Sequence, residues 1–214
     1  MDCQVQKSGY TAGMAQLPTT KKGMETRRRI LQAAADLVAE RGATGMSLDD
    51  VRARTGASRS QLYHYFEDKD DLVRAVIDVT TDAVIGVQGE LLDHLDTWAG
   101  IDRWFDALVD LQVSRQAAGG CAIGSLAGQL AEHDPLARAA IATGLERWEA
   151  HLREGLIRMK AAGKLKPSAN PAELATATMA SIQGGLLLTQ VRRDPTQLRI
   201  ALDAARANLR LAAA

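Results

Sequence analysis

Arg59, Ser60 and Gln61 follow directly on Ser58 in this 214-residue chain. Three polar side chains at the start of a helix can exchange hydrogen bonds with base edges in a DNA major groove. The helix itself is signalled by Ser58 and Gln61, a cap residue and a third-position amide that satisfy each other's free backbone N–H groups. Leu62 and Phe66 then turn back toward a small core. Such a turn reaches bases only if neighbouring elements hold it proud of the surface, because an α-helix about 10 to 12 Å across fills the groove. The preceding residues provide such elements. Ser47 with Asp50 opens a short helix through Leu48, Val51 and Arg54 that stops near Gly56. Before it, a helix from about residue 24 to 41 lines up Ile30, Ala34, Leu37 and Val38, and Gly42 ends it. Two short helices joined by a glycine turn and backed by a longer one describe a helix-turn-helix.

Asp68 with Asp71 starts a fourth helix through Leu72, Val76 and Val79, which Gly86 and Gly89 bend or end. Farther on, an acid or amide followed by proline suits a helix start, because the first helical N–H has no partner. Asp134-Pro135 opens a helix to about residue 162, Asn170-Pro171 one to about 192, and Asp194-Pro195 the last, to about 211. Two more are expected near residues 101–117 and 125–132. Apolar spacing of three and four recurs throughout, so the fold class is all-α: an N-terminal three-helix DNA-binding unit joined to a larger helical body. The expected division is a loose arm over 1–22, the helix-turn-helix domain over 23–68, and a larger helical domain over 69–214.

The formal net charge of zero hides an asymmetry: residues 1–66 carry ten Lys and Arg against six acids, and the remainder sixteen against twenty. A basic head on an acidic body suits nucleic-acid binding by the head, although a charge run can equally be a solvated face. No apolar run is long enough for a membrane span, and the first twenty residues lack a signal-peptide pattern, so a cytoplasmic location is expected. Cys3 and Cys121 are the chain's two cysteines; no structural disulfide is expected from them, and a reducing compartment is. No metal or cofactor is expected: His64, His94, His133 and His151 have no ligand spacing, and no phosphate loop or nucleophile elbow is present. An enzyme is therefore not expected.

Thr55-Gly56-Ala57-Ser58, then Leu62-Tyr63-His64-Tyr65-Phe66 and Lys69-Asp70-Asp71-Leu72, resemble the signature of the TetR family of transcriptional regulators over about residues 24–75. The resemblance implies a homodimer on a palindromic operator in double-stranded DNA, released by a small-molecule inducer in the body. It implies that Tyr63 and Lys69 contact phosphates beside the reading helix, with Thr44 and Ser47 as further phosphate positions. Arg59 then takes a guanine and Gln61 an adenine in bidentate fashion, Ser60 adjoins them, and His64 meets backbone or base.

Each residue also has a plainer reading. Tyr63 and Tyr65 can be core aromatics, the latter more readily; Ser47, Ser58 and Gln61 can be caps only; Lys21, Lys22, Arg27, Arg28 and Arg29 can be solvated or DNA-facing. Apolar residues run nearly all round residues 175–188, which suits a dimer four-helix bundle or an internal core helix, and Gly184-Gly185 admits a close backbone. Trp98, Trp104, Phe105, Trp148, Met159 and Met179 are candidates to line an apolar pocket. Two alternatives stand beside the ligand-responsive repressor. In one, modification of Cys121 controls DNA binding, since a thiol at a helix start can become reactive, although Ile123 and Leu126 suggest an apolar setting. In the other, the chain is a helical dimeric interaction protein without specific DNA recognition.

Overall fold

A computed structural model describes residues 18–214 and, within them, consists of α-helices joined by short turns. The segment 1–17, with Cys3 and most of the expected arm, lies outside the described residues. The first helix, α1 (Lys21–Gly45), starts three residues earlier than the sequence suggested, because the Thr20 side chain accepts the Gly23 N–H at 3.1 Å. Lys21 and Lys22 therefore belong to α1 rather than to a loose arm. Gly42 interrupts α1 with φ +78°, a left-handed conformation that a residue bearing a Cβ adopts only under strain.

Helix α2 (Leu48–Thr55) begins in a full capping box between Ser47 and Asp50, and Gly56 closes it in the left-handed conformation. Helix α3 (Arg59–Tyr65) begins in a second capping box, between Ser58 and Gln61. Helix α4 (Lys69–Gly86) starts where the Asp68 carboxylate accepts the Asp71 N–H at 2.7 Å. A 3-10 turn over Gly89–His94 then leads into α5 (Trp98–Ser114). Helix α5 starts three residues before expectation because Thr97 accepts the Gly100 N–H at 3.0 Å. Helix α6 (Ala122–Leu130) is also early, and its cap is a residue that cap preferences do not favour: the Cys121 sulfur accepts the Gly124 N–H at 3.3 Å.

Helices α7 (Pro135–Ala161) and α8 (Pro171–Arg192) start at the expected proline signals, with Asp134 and Asn170 accepting from the first free N–H groups. Helix α9 (Thr196–Leu211) opens one residue later than α7 and α8 do relative to their prolines, yet Asp194 still accepts the Thr196 N–H at 2.9 Å.

Two apolar cores hold these helices. The first gathers Leu37, Val51, Leu62, Phe66, Leu72 and Val76 from α1 to α4, and takes in Ile123 and Leu126 of α6 and Ile141 of α7. The second packs Trp104, Phe105, Leu152, Met159, Met179, Ile182 and Leu202 inside the body. Since α6 packs against α1, α4 and α7, it is in contact with both the head and the body. No helix among the described residues is long and apolar enough to cross a membrane.

Candidate nucleic-acid interface and body cavity

The exposed end of the head is built by α2 and α3. Val51 and Leu62 are buried beneath them, so α3 is fixed from behind and its opposite side faces outward. Arg59, Ser60, Gln61, Tyr63 and His64 are all exposed, as are Thr44 and Ser47; Lys69 is half-buried. Ser47, Arg59 and Tyr63 border one cleft of about 170 Å³ together with Asp49 and Arg52. The Arg59 guanidinium lies over the Tyr63 ring, 5.5 Å from its centre, which keeps both side chains on the outer face. Lys69 Nζ donates to the Thr44 carbonyl oxygen at 3.2 Å, bringing residues 25 apart in sequence to one edge of that face.

Two residues have a second role. Gln61 Oε1 accepts the Ser58 N–H at 2.9 Å, so part of its bonding capacity serves the helix start. Ser47 Oγ accepts the Asp50 N–H at 3.1 Å and donates to the Asp50 carboxylate at 2.6 Å. That hydroxyl bond holds the Asp50 carboxyl below its ordinary value, with Arg41 adding to the effect. Behind the face, Arg54 donates twice to Glu40 at 2.9 Å, fixing α2 to α1 and holding the Glu40 carboxyl low. Tyr65 is 7% exposed and is a core aromatic, with His64 edge-on to its ring at 4.9 Å. Tyr63, by contrast, is 46% exposed.

A cavity of about 410 Å³ lies between head and body. Gln32 and Ala35 of α1, Val79 and Ala83 of α4, Leu108 and Gln112 of α5, Cys121, Trp148 and Leu186 line it. Among the pocket candidates read from the sequence, Trp148 alone stands in this wall. Trp104, Phe105, Met159 and Met179 fill the second core, and Trp98 lies under the Arg210 guanidinium at 4.4 Å. The physical reason is that large apolar side chains fill the space between helices, and a cavity remains only where they do not meet.

Polar groups between the helices went unread in the sequence. Gln88 is buried, its Oε1 accepting from both Trp104 Nε1 at 2.7 Å and Trp148 Nε1 at 3.0 Å. Gln112 is 2% exposed and its Oε1 has no hydrogen-bond partner among the described residues. Gln129 of α6 accepts the buried Ala43 N–H at 2.8 Å, just past the Gly42 break. No group of His, Cys, Asp and Glu suited to a metal ion occurs among the described residues.

Residues 30–76 match the family described as bacterial regulatory proteins, tetR family, and residues 98–205 match the tetracyclin repressor-like C-terminal domain. The chain belongs to the TetR family. It is thus a DNA-binding transcriptional regulator rather than an enzyme. An uncharacterized HTH-type transcriptional regulator from the lacX 3' region of Lactococcus lactis subsp. lactis is 28% identical over 183 residues, covering 83% of this chain and 90% of that protein. The transcriptional regulator AcuR of Cereibacter sphaeroides is 24% identical over 172 residues, covering 79% and 78%. Among solved structures, a TetR regulator of Chloroflexus aurantiacus superposes with a TM-score of 0.74 at 23% identity, covering 91% of this chain and 98% of that one. The reduced form of NemR from E. coli gives 0.71 at 23%, covering 85% and 95%. These structural likenesses establish a shared fold.

Proposed function

We propose that this TetR-family regulator is a repressor that binds a palindromic operator as a homodimer and is released by a small apolar or amphipathic molecule in the body cavity. The observation that carries the reading is the bare first turn of α3: Arg59, Ser60 and Gln61 are exposed on a helix anchored from behind by Leu62 and Phe66. Arg59 reads a guanine and the free side of Gln61 an adenine, each pair worth about 1 to 3 kcal/mol of discrimination. Thr44, Ser47, Tyr63 and Lys69 hold phosphates and set the register, while His64 meets backbone or base. Residues 23–68 act as the DNA-binding domain and 69–214 as the ligand-binding and dimerisation domain.

Dimerisation is assigned to α8 and α9. Leu187, Leu188 and Val191 leave the body exposed on α8, and Ile200 and Leu211 do so on α9; Val191, Ile200 and Leu211 are 72%, 64% and 73% exposed. A second copy covers such a stripe and doubles the contact with a two-fold symmetric site. The paired glycines divide the task. Gly185 lets α8 approach Leu198 and Ala201 of α9 within the subunit, whereas Gly184 faces open space.

In the mechanism, the inducer favours a body conformation in which the two α3 helices no longer match successive major grooves. It acts only by its difference in affinity for the two states. The path runs through α6, which borders the cavity at Cys121 and holds Ala43 through Gln129. Sequencing genomic fragments retained by the purified protein tests the reading. Two symmetric half-sites are expected, with affinity falling about 10³ to 10⁵ between 50 and 200 mM salt for roughly six to ten phosphate contacts. Retention without a shared sequence would overturn it.

A further inference from the structure

The charge around the body cavity narrows the class of molecule it accepts, an inference that rests on the ligand-responsive reading of this regulator. Much of the wall is hydrocarbon: Val79, Val84, Leu108 and Leu186 border the space beside Trp148. Gln88 also borders it but is already engaged, its Oε1 accepting from two indole N–H groups and its Nε2 donating to the Val84 carbonyl at 2.6 Å. Arg115, just past the end of α5, is the one charged residue of this wall among the described residues.

The arginines that join body helices are paired. Arg206 and Arg210 of α9 donate to Asp102 of α5 at 2.8 and 3.0 Å, and Arg158 of α7 donates to Asp96 at 3.3 Å. Arg115 has no ion pair and no side-chain hydrogen bond among the described residues. On an open surface such a guanidinium is simply hydrated; at the wall of an apolar cavity it sets the sign of the field inside. The sequence explains why it stays alone, since no Asp or Glu occurs between Asp110 and Glu132. A second cation reinforces it: Arg193, at the end of α8, donates to the Ala117 carbonyl in the same turn at 3.4 Å. Acids stand on other sides. Asp110 borders a neighbouring recess of about 360 Å³ that shares Val87, Leu108 and Leu111 with the cavity, and Asp36 accepts from Gln32 of the α1 wall at 2.9 Å. A negative group is therefore drawn to the Arg115 side and repelled from those two.

We propose that the cavity selects amphipathic carboxylates, with the apolar chain between Leu108 and Trp148 and the carboxylate on the Arg115 guanidinium. The guanidinium fork matches both oxygens of a carboxylate, which neither an alcohol nor an amine can replace. Arg115 is exposed, so the carboxylate sits at the mouth and keeps part of its hydration, avoiding the full cost of burying a charge. Space agrees with this class. Octanoate has roughly ten non-hydrogen atoms, which at about 30 Å³ each take up roughly 300 Å³ of the cavity's 410 Å³.

The experiment titrates the full chain with octanoate, octan-1-ol and octylammonium, three head groups on one chain, and follows binding by calorimetry. Octanoate is expected to bind about tenfold more tightly than the other two, with the advantage shrinking as salt is raised. Arg115→Gln removes the advantage by weakening octanoate about tenfold and leaving octan-1-ol unchanged, and Arg115→Glu transfers it to octylammonium. Ala35→Phe narrows the cavity and weakens octanoate and octan-1-ol alike; if it changes neither, the ligands sit elsewhere and the proposal falls. Should the Arg115 variants not fold, the native protein decides, because an advantage insensitive to salt overturns the ion pair. Equal binding of the three head groups overturns the carboxylate site and leaves ligand response standing, and failure of octanoate to bind overturns the site as well. Selective octanoate binding with undiminished retention of DNA fragments supports the site and overturns the release of DNA by a ligand in this cavity.

Discussion

Replacing Gln129 by Leu cuts the one side-chain hydrogen bond observed between α6 and the end of α1. In the native protein the Gln129 Oε1 accepts the Ala43 N–H at 2.8 Å, while its Nε2 donates to the Ser125 carbonyl and hydroxyl at 3.1 and 3.3 Å. Ala43 is buried, so leucine leaves its N–H facing a hydrocarbon side chain, a cost of about 1 to 3 kcal/mol. For a protein of this size that corresponds to a fall of roughly 2 to 12 °C in melting temperature. Thermal denaturation reads the loss. Gln129→Glu keeps an acceptor and should recover most of it. The same bond joins the cavity-bordering helix to the Thr44–Ser47 edge of the proposed DNA-facing surface, so operator release by inducer should weaken in Gln129→Leu and persist in Gln129→Glu. Fluorescence anisotropy with labelled operator measures that response. If the leucine variant melts with the native protein and responds equally to inducer, the assigned path through α6 is wrong.

Gln88→Leu strands the Trp104 and Trp148 indole N–H groups and should cost about 2 to 6 kcal/mol in urea denaturation, well beyond an ordinary surface change. Gly100→Ala drives a Cβ against the His94 carbonyl oxygen and should destabilise by about 1 to 3 kcal/mol or more, read by the same assay. Tyr63→Phe and Lys69→Ala should weaken all operator variants evenly, Lys69→Ala lowering the salt slope by about one, whereas Arg59→Ala relaxes preference at particular bases. Gln61→Glu retains the capping geometry, so its melting temperature should match the native one while its base preference changes; equal affinity across every operator base would refute the division between reading and phosphate contacts. Asp50 titrates below its ordinary value because Ser47 donates to it, so its contribution to stability is present above about pH 4 and fades as the pH falls through the depressed value; Ser47→Ala should flatten that acid dependence in thermal melts.

The helix-turn-helix was legible because its signals are local. Ser47 with Asp50 and Ser58 with Gln61 each close a bond across three residues, and such pairs report their geometry wherever they occur. The same holds for Asp134-Pro135 and Asn170-Pro171, whose side chains reach only two or three residues ahead. Where no cap pair stood three residues apart, the starts were misplaced: Thr20 and Thr97 are followed by Gly23 and Gly100, Cys121 is not a usual cap, and α1, α5 and α6 were each expected three residues late. Exposure of Arg59, Ser60 and Gln61 followed from the apolar residues on the opposite side of the same helix.

The amino-acid order thus determined by itself an all-helical chain, the starts of α2, α3, α4, α7 and α8, and a polar turn on a supported rod. Only the tertiary structure decided which residues line the cavity and how it connects to the head. Gln88 meets Trp148 across 60 positions, Gln129 meets Ala43 across 86, and the cavity wall draws on five or more helices. A helical period tells which face of a helix is apolar, but it carries no record of which distant helix will cover that face. The mutual packing of all the helices settles those partners, and with them the few polar groups left inside without one.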